Sequence, residues 1–217
     1  AIGQLRELVD TAGGNTVILT GAGVSTDSGI PDYRGPQGSY SRGHKPMMHG
    51  EFISSEANRK RYWARSVFGW SSFSAARPNA AHFALAALEA AGKISGIITQ
   101  NVDGLHQKAG NRNVVDLHGR NDKVECLSCG LKANRNAHQM HLARLNAGWI
   151  ARNTRAAAGV VAASGTAAAG TEAASGAGGF QARDARLRAD GDADIDPATN
   201  LGGFEVPACV RCGGVLK

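Results

Sequence analysis

The sequence predicts an α/β fold with a doubly wound parallel sheet and a second, smaller module. Two short runs of β-branched and apolar residues, 16–20 and 93–99, each lead into a loop of glycine or polar residues, and a helical pattern separates them. This strand–loop–helix–strand alternation is typical of parallel sheets with right-handed crossovers. The four cysteines form two Cys-x-x-Cys pairs, which predict the second module. The fold class is therefore a doubly wound, Rossmann-like parallel sheet with a small zinc-binding module.

The first helix and strand follow from the apolar spacing near the start of the chain. Leu5, Leu8 and Val9 are at helical spacing within residues 2–12, and two glycines end the pattern. The run 16–20, Thr-Val-Ile-Leu-Thr, has the composition of a strand buried in a parallel sheet. We expect a helix, a tight turn and a buried strand in that order.

The middle of the chain alternates loop, helix and strand. Residues 21–50 are rich in Gly, Ser, Pro and Asp, which predicts a long functional loop. Residues 55–91 have helical patterning in two pieces, with a break near Arg77 and Pro78. The run 93–99 is the second candidate for a buried strand, and a polar loop follows it. The helical pieces supply the crossover that parallel strands need.

Composition and charge exclude several classes of protein. With 42% hydrophobic residues in 217, the chain can build a core. No run of about 18 apolar residues occurs, so membrane insertion is not expected. The 29 glycines follow no three-residue period and do not indicate collagen. Lys and Arg exceed Asp and Glu by 24 to 18, a formal net charge of +6 that favours anionic ligands.

The cysteine pairs predict a zinc site. A disulfide framework suits a short secreted chain, and no signal peptide is visible in this sequence. Paired Cys-x-x-Cys knuckles in an otherwise cysteine-free chain favour thiolate ligation of zinc in a reducing compartment. The four candidate ligands are Cys126, Cys129, Cys209 and Cys212.

The cysteines and a low-complexity stretch divide the chain. We expect a Rossmann-like portion over 1–122 and a zinc-binding module over 123–217. Within the module, 18 of the 29 residues in 151–179 are Ala or Gly, which predicts a flexible insertion, with a buried Ala-rich helix as the alternative. Residues 190–196 alternate Asp with other residues like a calcium loop. No Glu stands at the twelfth position and a proline follows directly, so calcium binding is not expected.

The first chemical motif is Gly21-Ala-Gly-Val-Ser25, directly after the first strand. Glycines at this point let the backbone approach a pyrophosphate. The motif matches only part of the dinucleotide fingerprint, because Thr26 stands where the third glycine would be. An ordinary glycine turn explains this motif equally well when the motif is taken alone. No carboxylate follows a second strand at the spacing that a dehydrogenase uses for ribose, which argues against hydride transfer.

Three further motifs place polar side chains in loops or at strand ends. Gly29-Ile-Pro-Asp-Tyr-Arg-Gly35 puts an acid, a phenol and a guanidinium in a row, although a Pro-Asp turn with a solvated arginine explains these residues too. Thr99-Gln-Asn-Val-Asp-Gly-Leu-His106 ends the second strand, and its Asn101 and Asp103 could bind a carboxamide. His118 precedes a glycine, and a lone histidine is more often structural than catalytic.

These motifs in this order, followed by two Cys-x-x-Cys pairs, resemble the sirtuins, a family of NAD-dependent protein-lysine deacylases. The resemblance extends to Lys217, apart from the Ala/Gly insertion. The segments Arg61-Tyr-Trp-Ala-Arg65, Gly69-Trp70 and Asp190-Gly-Asp192 are similar to the class II, mitochondrial-type branch. The resemblance implies NAD+ and Zn2+ as cofactors and acylated-lysine proteins as substrates. It also implies a mitochondrial-matrix location, with a cytoplasmic or nuclear one as the alternative.

The resemblance also implies roles for individual residues. Ten would bind NAD+ at its phosphates, through a mobile cofactor loop, or at its ribose and nicotinamide: Gly21, Ala22, Gly23, Ser25, Asp32, Tyr33, Arg34, Gln100, Asn101 and Asp103. His118 would be the general base that takes a proton from a ribose hydroxyl. The zinc would be structural, because four thiolates leave no open position for water.

Tyr62 and Arg65, in the order Tyr-x-x-Arg, stand where some sirtuins recognise acidic acyl groups. An arginine there could pair with a succinyl or glutaryl carboxylate. An amphipathic helix with an exposed arginine explains the same residues. The resemblance leaves open which acyl group is removed, and whether the protein also transfers ADP-ribose to other proteins.

The sequence departs from the family at its end. Sirtuins continue past the second cysteine pair with strands and helices that bind the adenosine half of NAD, whereas this sequence stops at Lys217. We therefore expect the C-terminal half of the Rossmann-like domain to be absent and hydrophobic strand edges to be exposed. Two alternatives to an active enzyme follow. One is a catalytically inactive, zinc-stabilised scaffold; the other is a basic zinc module that binds nucleic acid, although no recognition helix or stacking platform is evident.

Overall fold

Three parallel strands form the main sheet. The structure, a computed structural model, describes residues 2–36, 38–154, 187–195 and 198–217. The strands β1 (Val17–Thr20), β2 (Gly96–Thr99) and β3 (Val114–Asp116) lie side by side in that order. Thr20 is level with Thr99, and Thr99 with Asp116, so the carboxyl ends of all three strands meet at one edge. The predicted parallel sheet is confirmed, and β3 adds a strand that was not predicted.

Helices connect the strands: α1 (Ile2–Thr11) before β1, a 3-10 helix (Ala22–Ser28), then α2 (His49–Ser54), α3 (Glu56–Ala75), α4 (Ala80–Ala90) and, after β2, α5 (Leu105–Ala109). Helices were predicted at the places of α1, α3 and α4, whereas the 3-10 helix lies in the stretch predicted to be a long loop. The predicted break between α3 and α4 is confirmed. Pro78 cannot continue a helix, and Asn79 caps the next one with an oxygen that accepts from two backbone N–H groups.

The second module surrounds the four cysteines. The strand β4 (Lys123–Glu125) pairs antiparallel with β5 (Lys132–Asn134), and α6 (Arg135–Leu145) follows, with residues 147–154 helical as well. Near the end of the chain, Lys217 returns to β4 and exchanges two backbone hydrogen bonds with Glu125, of 2.7 and 2.9 Å. Of the predicted insertion at 151–179, all but the first four residues lie outside the described ranges.

Two apolar clusters hold these elements together. In the larger one, Trp63 of α3 packs among Val124, Leu142 and Phe204 of the module. The smaller one joins the 3-10 region, α3 and α5 through Ile30, Phe73 and Leu105. Because α3 contributes to both clusters, it is the element that the sheet and the module share. The division of the chain at residues 122 and 123 stays a prediction.

One face of the main sheet is uncovered by the described residues. Residues level with one another in parallel strands point to the same face, so Leu19, Ile98 and Val115 share one. Leu19 is 63% exposed and Val115 is 56% exposed, whereas Ile97 on the opposite face is buried. The prediction that β1 is a buried strand is wrong for this face, because no described element packs on it. Apolar side chains of both outer strands, β1 and β3, are therefore exposed on this face.

Candidate functional site

The loops that follow the three strands lie together at the carboxyl edge of the sheet. The glycine motif 21–25 follows β1, the loop 100–104 follows β2, and His118 follows β3. Open α/β sheets bind ligands at this edge, where the strand ends form a crevice. The structure therefore brings together the three predicted motifs that stand next to strands.

A buried hydrogen-bond cluster links the first two loops. The Ser25 hydroxyl donates to Asp103 Oδ2 over 2.8 Å and accepts from Asn101 Nδ2 over 3.2 Å. Asn101 Nδ2 also donates to the Gly21 carbonyl over 3.1 Å, and Asp103 Oδ1 accepts from the Leu105 N–H over 2.8 Å. A carboxylate offers about four acceptor positions, so Asp103 keeps capacity for an N–H group of a ligand. The cluster fixes both predicted carboxamide-binding side chains in the crevice.

The glycine motif leaves open space against its backbone. A Cβ placed on Gly21 or Gly23 would meet no atom within 4 Å. Ala22 lies between them, at the start of the 3-10 helix. An exposed strip of backbone at a strand end suits a phosphate, whose oxygens accept from backbone N–H groups. The geometry fits the phosphate-binding role that the resemblance implies for these three residues.

A second layer of buried polar groups supports the strand ends. Thr20 Oγ1 lies 2.9 Å from both Thr99 Oγ1 and His106 Nε2. The His82 ring packs against the His106 ring with centroids 4.8 Å apart. Burial lowers the pKa of both histidines, so both are neutral near pH 7. No sequence pattern predicted this layer; its one local signal is the histidine that ends the motif after β2.

His118 is held by a backbone carbonyl. Its Nδ1 lies 3.0 Å from the carbonyl oxygen of Gln100. A carbonyl oxygen only accepts, so Nδ1 carries the ring proton and Nε2 keeps its lone pair. The imidazole is exposed, and Gly119 after it has a positive φ of 77°, which favours glycine there. The ring is therefore set to accept a proton at Nε2.

The cofactor loop (29–36 and 38–44) is folded on its own aromatic side chains. The Asp32 carboxylate accepts from a backbone N–H three residues on, over 2.9 Å. The rings of Tyr33 and Tyr40 pack with centroids 5.0 Å apart, and the Arg34 guanidinium lies 5.8 Å from the Tyr40 ring centre. Burial, with a smaller contribution from carboxylates that include Asp103, raises the pKa of Tyr33. The loop therefore lies beside the crevice with a neutral phenol.

A cleft of about 360 Å³ opens next to Asp103. Its walls include Trp70 and Phe73 of α3, Val102 of the loop after β2, and Arg120. The α3 side is largely apolar, and the charged residues of the lining are Asp103, Lys108, Arg120 and Asp122. This mixture of apolar walls and a few polar groups is typical of sites for small ligands.

Tyr62 and Arg65 are both packed against neighbours. The Tyr62 ring makes edge contacts with Phe52 and Trp63, each with centroids 5.2 Å apart. Arg65 Nε lies 3.3 Å from Asp192 Oδ2, and the two side chains are 11% and 6% exposed. The alternative interpretation, an exposed arginine on an amphipathic helix, is wrong because this buried carboxylate holds the guanidinium.

The acidic run before the second cysteine pair binds arginines. Besides the contact of Asp192 with Arg65, Asp194 pairs with Arg42 at 3.1 Å and with Arg188 at 2.5 Å. Asp192 and Asp194 therefore form ion pairs with arginines within the fold. Arg42 and Asp194 are 152 residues apart in sequence, so no local pattern links them.

The four cysteines form one cluster. Their Sγ atoms all lie within 4.8 Å of one another, with 3.5 Å between Cys126 and Cys212 and 3.8 Å between Cys129 and Cys209. Tetrahedral zinc with Zn–S bonds of about 2.3 Å holds its sulfurs about 3.8 Å apart, so the cluster fits zinc. The backbone N–H groups of Cys129 and Ser128 lower the pKa of Cys126 to about 6, which favours the thiolate that a metal needs.

The fold and the site together define a nucleotide-binding α/β protein with a cysteine-held module. A model of the Sir2 family matches residues 21–217, and the chain belongs to this family. It is 46% identical over 200 residues to NAD-dependent protein deacetylase 2 of Bradyrhizobium diazoefficiens, covering 92% of this chain and 61% of that protein. It is 43% identical over 205 residues to the NAD-dependent protein deacylase Sirt4 of Drosophila melanogaster, covering 94% and 55%.

Solved structures confirm the Rossmann-like parallel sheet. A Sir2 complex with a p53 peptide and NAD+ matches with a TM-score of 0.57 and 34% identity, over 65% of this chain and 55% of that one. A variant of a Sir2 homologue in complex with ADP-ribose matches over 97% of this chain and 60% of its own, with a TM-score of 0.53 and 25% identity. The chain thus spans between 55% and 61% of the length of the two relatives named above.

Proposed function

We propose that this protein is an NAD-dependent protein-lysine deacylase. The observation that carries the proposal is the pair of features at the carboxyl edge of the sheet: His118 with its proton on Nδ1, and the cluster of Ser25, Asn101 and Asp103. The names of the two relatives, a deacetylase and a deacylase, support the same activity. The alternative is a zinc-stabilised scaffold without catalysis.

The residues at this edge are suited to NAD+. The open backbone of residues 21–23 would take the phosphates, and Gln100 would contact the ribose. Asn101 uses both N–H bonds of its amide internally, so towards a ligand it acts as an acceptor. Its oxygen and the Asp103 carboxylate match the N–H₂ group of the nicotinamide carboxamide. Asp32, Tyr33 and Arg34, in the cofactor loop, would cover the reacting end of the dinucleotide.

His118 would act as the general base. Bound NAD+ would supply an electrophilic ribose carbon for the acyl oxygen of the substrate lysine, with nicotinamide as the leaving group. Nε2 of His118 would remove the proton of a ribose hydroxyl and make that oxygen a nucleophile. The Gln100 carbonyl, which accepts the Nδ1 proton, would hold the ring in this tautomer and stabilise the imidazolium that forms.

The zinc would be structural. Four thiolates close a tetrahedral coordination sphere, so no position is open for a water molecule. The metal would hold the β4–β5 hairpin to the end of the chain, where Cys209 and Cys212 stand. Since the larger apolar cluster joins this module to α3, zinc would also support the helix that carries Tyr62 and Arg65.

The substrates would be proteins with acylated lysines, and transfer of ADP-ribose to protein is a second activity to test. We extend the proposal to the class II, mitochondrial-type branch and a mitochondrial-matrix location. The similarity to the fly Sirt4, at 43% identity, supports the branch, and the bacterial deacetylase is similar at 46% identity. No described helix has the length and apolar character that crossing a membrane requires. Microscopy of a tagged protein against a matrix marker tests the location.

The test is release of nicotinamide from NAD+ in the presence of an acetyl-lysine peptide. Wild-type protein should release nicotinamide and deacetylated peptide in equal amounts, and His118→Ala should slow this at least about 100-fold with zinc content unchanged. If wild type and variant are equally silent and both hold zinc, the scaffold alternative is correct. DNA binding that weakens with salt and survives His118→Ala would instead support the nucleic-acid alternative.

A further inference from the structure

The segment 187–195, here called the acidic turn, lies directly on α3. A Cβ on Gly69 of α3 would lie 2.3 Å from the carbonyl oxygen of Gly191, so the helix needs glycine at this position. Gly191 has a φ of +83°, and a Cβ on it would lie 2.8 Å from Cγ of Phe73. Two glycines thus allow the closest approach between the acidic turn and the helix.

Arg65 and Asp192 form a buried ion pair across this contact. Nε and Oδ2 are 3.3 Å apart, and neither side chain is more than 11% exposed. The Ala193 N–H donates to the Arg65 carbonyl over 3.2 Å, which fixes the turn beside the guanidinium. Burial, with Asp190 adding to it, raises the pKa of Asp192 to about 7 against the opposing effect of nearby arginines. Above that pH the carboxylate is ionised and neutralises Arg65.

The acidic turn borders the cleft of the candidate site. Gly191 of the turn lies directly against Phe73 of the cleft wall, and Leu187 packs against the apolar cluster to which Phe73 belongs. Asn121 Nδ2 donates to the Asp190 carbonyl, and the backbone N–H of Asn121 donates to the Val102 carbonyl over 3.0 Å. One asparagine therefore holds both the turn and the loop after β2. An acyl chain in the cleft would lie alongside the turn.

The cofactor loop borders the acidic turn on another side. Arg42 of the loop pairs with Asp194 at 3.1 Å, and His44 Nε2 lies 3.3 Å from a terminal nitrogen of Arg188. The carboxylates of the turn also contribute to the raised pKa of Tyr33. The acidic turn, which carries Asp192, therefore contacts both α3 and the cofactor loop.

We propose that Asp192 is a specificity-determining residue, which neutralises Arg65 and so directs the site towards lysines with uncharged acyl groups and away from succinyl- and glutaryl-lysine. This inference rests on the proposed deacylase function. A dicarboxylic acyl group could use Arg65 only by displacing a carboxylate that is already buried and fixed. It would also meet Asp190 and Asp192 as like charges. An acetyl group avoids both costs.

The experiment compares two peptides of one sequence, one carrying acetyl-lysine and the other succinyl-lysine. Wild type should prefer the acetyl peptide at about pH 8.5, where a carboxyl group with a pKa of about 7 is ionised. Asp192→Asn should raise kcat/KM for the succinyl peptide about tenfold relative to the acetyl peptide, because Arg65 then pairs with the substrate carboxylate. The double variant Arg65→Met/Asp192→Asn should lose this gain.

The matched control is Asp194→Asn, the same change in the same turn, which affects Arg42 and Arg188 instead of Arg65. This variant should leave the ratio of kcat/KM for the succinyl peptide to kcat/KM for the acetyl peptide unchanged. Fluorescence anisotropy with the same peptides, on a His118→Ala background, measures selectivity without turnover. Circular dichroism and zinc content check that every variant is folded.

The outcomes separate the two proposals. If Asp192→Asn gains neither binding nor turnover of the succinyl peptide, the proposed role of Asp192 is wrong. The role is also wrong if the gain persists in the double variant. A third outcome is that no protein turns over any peptide, but Asp192→Asn still gains about tenfold in binding of the succinyl peptide relative to the acetyl peptide. That result refutes the deacylase function and supports the role of Asp192 in selectivity.

Acidification offers the same test without a mutation. Lowering the pH of the wild type from about 8.5 to about 6 protonates Asp192 and should raise the succinyl-to-acetyl ratio, whereas the ratio of Asp192→Asn should stay level. A level ratio in the wild type contradicts the proposal. The charged groups that act on Asp192 are Asp190, Arg65, Arg135 and Arg188.

Discussion

Ser25 connects the polar side chains of the candidate site. Its hydroxyl is fully buried, donates to Asp103 and accepts from Asn101. A hydroxyl can donate and accept through a single atom, which few side chains do in so small a space. Ser25 therefore sets the orientation of both groups that we propose to bind nicotinamide.

Replacing Ser25 with alanine should weaken NAD+ binding more than peptide binding. Asp103 loses a hydrogen bond, and one that involves a charged group is worth about 1.5–3 kcal/mol. We expect the KM for NAD+ to rise at least about tenfold and the KM for an acetyl-lysine peptide to change less than about twofold. Steady-state kinetics with each substrate varied measures both.

The control for this substitution is Ser54→Ala, which removes an exposed hydroxyl that donates to a carbonyl of α2. It should leave both KM values unchanged. Equal rises of the two KM values in Ser25→Ala would contradict a role confined to the cofactor.

Side chains that follow strands were predictable from the sequence, and long-range ion pairs were not. Asn101 and Asp103 stand within a few residues of the end of a predicted strand, so a local motif marks them, whereas the strand before His118 was not predicted. Arg65 and Asp192 are 127 residues apart, and only the folded chain brings them together. The local pattern of alternating aspartates suggests a calcium loop and gives no sign of the arginines that the aspartates contact.

Among the elements, α3 and α6 are joined by a stack of aromatic and cationic side chains. The Arg135 guanidinium lies 4.7 Å from the Trp63 ring centre and 5.0 Å from that of Trp70. The His138 ring packs on Trp63 with centroids 4.3 Å apart. Trp70 Nε1 donates to Asn136 Oδ1 over 2.7 Å. This interface couples the cysteine module to the helix on which the acidic turn lies.

Buried His138 makes this interface sensitive to acid. Burial, aided by Arg135, lowers the pKa of His138 from 6.5 to about 4. Below about pH 6.5 the unfolded chain binds a proton that the folded chain does not. The contribution of His138 to the free energy of unfolding is therefore complete above that pH and declines as the pH falls towards 4. The Tm of wild type should drop more steeply between about pH 7 and pH 5 than that of His138→Gln.

Exposed His141 on the same helix provides the control: it contributes least among the causes of the lowered pKa of His138, so His141→Gln should lie much closer to the wild-type curve than His138→Gln. Zinc release and the buried pair His82 and His106 affect all three proteins alike, so only the difference between the curves counts. Parallel curves for wild type and His138→Gln would show that this histidine is not the group concerned.

Long helices were predictable, and three-residue strands were not. The patterning of α3 and α4 and the break at Pro78 are local features. β3, β4 and β5 have three residues each, too few for alternation to distinguish a strand from a loop. Their pairing depends on distant partners, as when Lys217 closes on Glu125. The strands that position His118 and the cysteines could therefore not be predicted from the sequence.

For the whole molecule, the uncovered face of the sheet is the dominant surface feature. Leu19, Ile98 and Val115 lie level across the three strands, and exposed Val17 and Leu117 extend the apolar area on both sides. Both outer strands also present unpaired backbone groups along their free edges among the described residues. An apolar sheet face with open edges favours association with another surface.

The 217-residue chain by itself should therefore self-associate through this face. Sedimentation velocity should show oligomers that grow with concentration across the micromolar range. Leu19→Thr/Val115→Thr keeps residues that favour strands but adds hydroxyls to the face. Because burial of one leucine side chain is worth about 1.5–3 kcal/mol, we expect this variant to raise the dissociation constant at least about tenfold. Val210→Thr, at an isolated position that is 87% exposed, should change nothing. A wild-type chain that stays monomeric throughout would mean that the face is covered within the chain itself.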